Sequence, residues 1–246
     1  MGSPYKRVVI KISGNVLFNF DHGTATEIDA DDALTSLLTQ LLTCQQQGVE
    51  LLVIFGGGNI CRGKEMEKIG ISRITADNIG MLSTLINSLV VREKLSKMGA
   101  KCVLTSAFAV THICKQFEPF SAMHFLSEGC LVICAGGTGN PFVTTDSAAS
   151  LRGIQTNCDA LIKLTNVSGL FDKDPNAFAD AKMLKSVDYD YCLDNQSNIF
   201  DLGAFSQCKS RNLPIHIASY SEPEVLMRIV NGGSVGTKIS KDGTNT

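Results

Sequence analysis

The chain has 246 residues, 44% of them hydrophobic, with 22 Lys and Arg against 24 Asp and Glu. That length fits one large α/β domain or two small ones, and a net charge of −2 gives the chain as a whole no electrostatic match to nucleic acid. No apolar run approaches the ~20 residues of a membrane helix, MGSPYKR runs straight into a strand-like segment without a secretory leader, and nine Cys with no C-x-x-C pair read as reduced thiols of a cytoplasmic protein.

In chain order, a strand is predicted over 7–13, a helix over 30–47, a strand over 50–55 and a long helix over 76–98. Strands follow over 101–105 and 130–135, then a helix over 146–156, a strand over 160–165, a helix over 201–211, a strand over 214–218 and a helix over 222–230. Most strands are dense in Val, Ile and Leu instead of alternating, which suits strands covered on both faces. Strand-then-helix repetition predicts an open, mostly parallel sheet between helix layers. The long helix carries apolar residues at 79, 82, 86 and 89 and again at 81, 85 and 95. That stripe is too broad for a surface helix and places it between layers or at a subunit interface. The Asp- and Asn-rich stretch 167–198 reads as a hairpin or excursion over the sheet, and the Gly-rich tail after Asn231 ends in a short strand. The whole, 1–246, reads as one domain with two lobes, roughly 1–145 and 146–246.

Ligands of open parallel sheets sit beyond the carboxyl ends of the strands. Three turns there bear glycine: Ser13-Gly14, Gly56-Gly57-Gly58 and Gly136-Gly137-Thr138-Gly139. Without Cβ, such turns let backbone N–H groups approach phosphate oxygens, and three of them suit two phosphate-bearing ligands. Gly58 to Lys64 satisfies G-x-x-x-x-G-K, but a P-loop then requires Ser or Thr, and position 65 is Glu. Lys11, inside an apolar strand, is either an edge lysine with its head in water or a point charge over phosphates. Arg62 is either a solvated helix arginine or, on a helix starting at the glycines, returns to the phosphate side after about one turn. In TGNPFVTTDSAASLRG, one of Thr145, Asp146 or Ser147 serves as helix cap in the plain reading. The polar density before it and Pro141 point to a loop clamping a sugar, base or phosphate. Asp77 either complements a helix dipole or holds a ribose diol.

The runs KISGN, GGGNICRG, TADNIGMLSTLINSL, AGGTGNPFVTTDSAASLRGI, TNVSGLFDKDP and DLGAFSQCKSRNLPIHI, in that order and spacing, resemble the bacterial-type uridylate (UMP) kinases of the amino-acid kinase superfamily. The similarity runs from about Tyr5 to about Thr237. It implies a three-layer αβα sandwich around a mostly parallel, roughly eight-stranded sheet, and transfer of the γ-phosphate of ATP to UMP with Mg²⁺ bound mainly through the nucleotide phosphates. No side chain is assigned as a metal ligand, and Lys64 has no P-loop role.

Carried over by position, the resemblance gives Lys11, Ser13, Gly14, Gly58 and Arg62 to the ATP phosphates, and Thr165, Phe171 and Asp174 to the adenosine pocket. It gives UMP to Gly57, Asp77 and the loop of Thr138, Gly139, Asn140, Pro141, Phe142, Val143, Thr144 and Thr145. Catalysis falls to Lys11, Arg62, Asp146, which orients the lysine, and Asp201, which stands where amino-acid-substrate relatives carry a second lysine. Asn15 replaces the usual Glu of the first motif, and Asn166 and Ser168 replace a basic residue and an Asp. The family implies a hexamer, UTP inhibition and GTP activation, although Arg92 is the basic position of a GTP site that is recognisable here. Rival readings are a superfamily kinase acting on a carboxylate or carbamate such as N-acetylglutamate, and a nucleotide-binding regulator without catalysis.

Overall fold

Strand β1 (Arg7–Ile12) buries Val8, Val9 and Ile10 completely, because consecutive apolar residues point to opposite faces of a sheet that is covered on both. In this computed structural model the described residues are 5–17, 19–21, 24–26, 31–173, 175, 177–178, 180–195 and 199–246. After β1 come a small hairpin, β2 (Asn19–Asp21) and β3 (Thr24–Thr26), then α1 (Asp31–Gln46), β4 (Glu50–Phe55), α2 (Gly63–Lys68) and α3 (Arg73–Lys97). The middle of the chain forms β5 (Cys102–Ser106), β6 (Lys115–Gln116), α4 (Pro119–Ser127), β7 (Leu131–Ala135), α5 (Thr145–Gln155) and β8 (Ala160–Thr165). The remainder forms β9 (Ser186–Val187), α6 (Tyr189–Asp194), α7 (Leu202–Arg211), β10 (Ile215–Ser219), α8 (Val225–Val230) and β11 (Thr237–Ile239).

One nine-stranded sheet runs in the order β6-β5-β7-β4-β1-β8-β10-β11-β9. Its neighbours pair parallel except β10 with β11. The resemblance implies roughly eight strands and the sheet has nine; β6 and β9, absent from the strands read along the sequence, are two-residue edge strands too short to leave a periodic signature. On one face, Val8, Ile10 and Ile12 pack with Leu37 and Leu41 of α1, Leu85 and Leu95 of α3, and Ile229 of α8. On the other, Val9, Leu52 and Ile54 pack with Leu126 of α4, Ala149 of α5 and Phe205 of α7. These are the three layers of an αβα sandwich.

The 167–198 excursion carries an antiparallel bridge between Phe171 and Met183, then β9 and α6. The expected short strand in the tail is β11, and α8 starts three residues later than expected, after Glu224 in a left-handed conformation.

For helix α3 the sequence leaves burial between layers or a subunit interface open, and its apolar stripe is only partly buried within this chain. Ser83, Thr84, Asn87 and Ser88 are buried, whereas Leu82 and Ile86 are exposed. The inward side is therefore mixed, with these polar groups beside the core residues Leu85, Val91 and Leu95, while Leu82 and Ile86 of the apolar stripe face away from this chain. By length and composition alone α3 passes for a membrane-crossing helix, with 44% of its apolar window buried in the fold, but its uncharged run between Asp77 and Arg92 stays short of the ~20 residues such a helix needs. Its buried polar face nonetheless serves the strand-end loops.

Candidate functional site

Strands β4, β1 and β8 lie side by side and parallel, so the turns that follow them meet at one sheet edge. Lys11 and Lys163 are register partners on β1 and β8. Partners in a parallel pair point to the same face, so two ammonium groups stand next to each other. Because β1 is flanked on both sides, Lys11 is no edge lysine. Asp146, in the first turn of α5, reaches between them: Lys11 Nζ lies 3.1 Å from Oδ1 and Lys163 Nζ 2.6 Å from Oδ2. Lys163 Nζ also donates to the Ile199 carbonyl at 2.5 Å. Burial alone would push the Asp146 carboxyl up, but the charges of Lys11 and Lys163 outweigh it and hold the group below the usual carboxylate range. Burial draws the Lys163 ammonium below its ordinary value, against the pull of Asp146.

The first two glycine turns touch backbone to backbone. A Cβ on Gly14 would lie 2.6 Å from the Gly56 carbonyl oxygen and 2.4 Å from Asn59 Oδ1, so a side chain there is excluded. Gly57 packs against α3, where a Cβ would meet the Gly80 carbonyl at 2.8 Å. Gly58 instead has open space around its Cα, leaving bare backbone toward a small cavity. The buried polar face of α3 holds these turns in place. Asn87 Nδ2 donates to the Gly56 carbonyl at 2.6 Å and to Asn59 Oδ1 at 2.7 Å, while Thr84 Oγ1 accepts from Gly136 N–H at 2.8 Å.

No helix starts at the glycines. Gly57 carbonyl accepts from the N–H groups of Ile60 and Cys61 in a turn, and Arg62 is the extended residue that precedes α2. Arg62 still comes back toward the glycines, its Nε donating to the Gly58 carbonyl at 3.3 Å. The Lys64 side chain lies outside the described set, and Glu65 pairs outward with Lys68.

The cavity, about 150 Å³, is lined by Gly57, Gly58, Asp77, Asn140, Val143 and Thr145 among others. Asp77 is not free within it. Both its carboxylate oxygens accept from Arg73 Nε, at 3.0 and 2.9 Å, and Oδ2 also accepts from Phe142 N–H at 2.7 Å. Thr138 Oγ1 accepts from Asn140 N–H at 3.2 Å within the loop. Gly139 takes φ +82°, Pro141 is half-buried, and Phe142 and Val143 are exposed.

The α5 cap is Thr144, one residue earlier than expected, because the capping oxygen must precede the first helical turn. Its Oγ1 accepts from Asp146 N–H at 3.2 Å and Ser147 N–H at 3.3 Å, and donates to Asp201 Oδ2 at 2.9 Å. Asp201 is itself the α7 cap, accepting from Gly203 N–H at 2.7 Å. Its carboxylate thus joins the starts of α5 and α7 close to Lys163.

Beyond Lys11 on the same strand pair, Ser13 donates its N–H to the Leu164 carbonyl at 3.0 Å, so the ends of β1 and β8 are tied together. Thr165 closes β8, and Phe171 lies beyond it in the bridge to Met183. Asp174 lies outside the described residues. Asn166 is exposed, its Oδ1 accepting from Thr165 Oγ1 at 3.3 Å.

Lys163, Asn87, Thr84 and Arg73 are site residues that sequence reasoning passed over. For Lys163 a signal existed: Lys11-Ile12-Ser13 and Lys163-Leu164-Thr165 repeat one arrangement, a lone lysine in an apolar strand two residues before a hydroxyl.

The profile of the Amino acid kinase family matches residues 6–219. The uridylate kinase of Xanthomonas campestris pv. campestris is 38% identical over 236 residues, 96% of each chain. That of Coxiella burnetii is 36% identical over 237 residues, again 96% of each. Among solved structures, the UMP kinase of Bacillus anthracis superposes with a TM-score of 0.90 at 36% identity, covering 97% of both chains. A profile match that begins beside β1 and ends with β10 takes in every strand that carries the site, and the chain belongs to the amino acid kinase family.

Proposed function

We propose that the chain is a nucleoside monophosphate kinase that transfers the γ-phosphate of ATP to UMP, giving UDP and ADP for pyrimidine nucleotide biosynthesis. The observation that carries this reading is the Lys11–Asp146–Lys163 cluster set between two touching glycine turns. Relatives named as uridylate kinases at 36–38% identity over 96% of the chain support the choice of acceptor.

In phosphoryl transfer the protein mainly positions two anions and neutralises the charge passing between them. Ser13 offers its hydroxyl and Gly14 and Gly58 their backbone to the ATP phosphates, with Thr165, Phe171 and Asp174 toward adenosine. Gly57, Asp77 and the loop from Thr138 to Thr145 hold UMP. Lys11 and Lys163 supply the positive charge, with Arg62 from the glycine side. Asp146 keeps both ammonium groups in one orientation, and Asp201 fixes the helix starts around them. A phosphate acceptor oxygen is already ionised near neutral pH, so no general base is needed.

Among the described residues no three His, Cys, Asp or Glu side chains are grouped as metal ligands. We assign Mg²⁺ to the nucleotide phosphates, where such an ion usually keeps few protein ligands. When bound there, the ion offsets phosphate charge. We place the enzyme in the cytoplasm, consistent with nine free cysteines. We assign it a homo-oligomeric state, a hexamer, with the outward apolar face of α3 as a contact surface, and inhibition by UTP. GTP activation belongs to the same reading and is checked by the rate at sub-saturating ATP with and without GTP.

A coupled assay of nucleoside monophosphates and N-acetylglutamate with ATP-Mg tests the assignment. The expected result is strong UMP preference and, for Lys11→Ala, a fall in rate of at least ~100-fold. Turnover of N-acetylglutamate but not UMP overturns it, as does binding of both nucleotides with no UDP formed.

A further inference from the structure

We infer that Arg73 is a positioning residue for the acceptor: with Asp77 and Phe142 it forms a clasp that holds the Thr138–Thr145 loop over the acceptor nucleotide. The inference rests on the reading of this cavity as the UMP site. Arg73 opens α3, and its Nε is shared by the two oxygens of Asp77, one turn further along. The guanidinium carbon also stands 5.6 Å from the centre of the Phe142 ring, and Nε lies 3.6 Å from Glu67 of α2. One side chain thereby joins α2, α3 and the loop after β7, three pieces that surround the cavity.

Phe142 shows that these contacts carry load. It is 64% exposed, so burial does not hold it, and its φ of +66° is one that bulky L-residues avoid. What keeps it there is its N–H on Asp77 Oδ2 and its ring under Arg73. A loop held only by packing would have no reason to place a phenylalanine at such a backbone angle in the open.

The cavity behind the clasp is about 150 Å³, whereas ligand pockets usually span about 300–1,000 Å³. On this reading the loop moves outward as a nucleotide enters. An ion pair half exposed to water is weak enough to open readily. Once the acceptor is in place, Asp77 turns one oxygen to the ribose while Arg73 retains the other, and the ring–guanidinium contact draws the loop back. Arg73 touches neither reacting phosphate; it acts through Asp77 and Phe142.

Steady-state kinetics on the full chain test this with Arg73→Gln, Phe142→Leu, the double variant and Arg73→Lys. Arg73→Gln is expected to raise KM for UMP about five- to tenfold, with kcat and KM for ATP unchanged within about threefold. Arg73→Lys is expected to recover part of that loss, since the charge on Asp77 returns without the planar fork. The double variant is expected to be no worse than Arg73→Gln alone, because the two side chains act as one device. Additive effects, an unchanged KM for UMP, or an equal fall in every parameter overturn the clasp and leave the UMP assignment intact. Failure of the unaltered chain to form UDP overturns the UMP assignment and the clasp with it.

Discussion

Lys163 stands beside Lys11 in the β1–β8 register, and the two like charges share a buried position because Asp146 reaches between them. Neither strand alone explains the arrangement. It needs the parallel pairing to align the lysines and α5 to deliver the carboxylate.

Asp146→Asn therefore removes the counter-charge while keeping the shape. Leaving buried ammonium groups uncompensated costs about 3–5 kcal/mol, and urea unfolding at pH 7 should show a loss of that order. A change below about 1 kcal/mol in that measurement would mean the lysines find solvent or another partner.

Lys163→Met keeps length and apolar stem but removes the second ammonium. If this charge faces the transferred group, kcat falls about 100-fold with a smaller change in KM for UMP. A kcat within a few-fold of the unaltered chain would reduce Lys163 to a support for Asp146.

Asn87→Ala strips the donors from the Gly56 carbonyl and Asn59 Oδ1, both held by this buried amide. Unsatisfied buried polar groups cost about 1–3 kcal/mol. The expected result is a lower melting temperature together with a higher KM for both nucleotides, since the touching turns lose their common anchor.

His216, on β10, accepts or donates a 2.8 Å hydrogen bond with the Tyr5 hydroxyl and faces Lys238 of β11 across the register. Burial, and then the Lys238 charge, lower its pKa from 6.5 to about 4. As pH falls from near 6.5, the unfolded chain takes up a proton that the folded chain refuses, so stability falls until pH reaches about 4 and is flat below. The full drop is about 3 kcal/mol. Unfolding free energies at pH 7, 6 and 5 should decline more steeply for the unaltered chain than for His216→Gln.

Much of this was legible in the residues because the core strands are buried on both faces. RVVIKIS, ELLVIF and ALIKLT leave no room for another element type, and their order fixes a parallel sheet. Short edge strands escaped because two residues carry no period. The α3 face escaped for a different reason. Ser83, Thr84 and Asn87 look like surface polarity in one dimension, and only the approach of Gly56 and Gly136 reveals what they bond. Arg62 kept its direction though not its helix, since a turn returned it to Gly58 as a helix would have done. The cap of α5 moved by one residue, a shift that Thr144-Thr145-Asp146 cannot resolve by composition.

The contact between Gly14 and Gly56 sets a limit on how such a site can change. With the Gly56 main chain and the Asn59 amide both crowding Gly14, van der Waals radii dictate how closely the two turns approach. Replacing side chains around the rim leaves that spacing alone. The separation of the two turns stays fixed until one of those two glycines is lost.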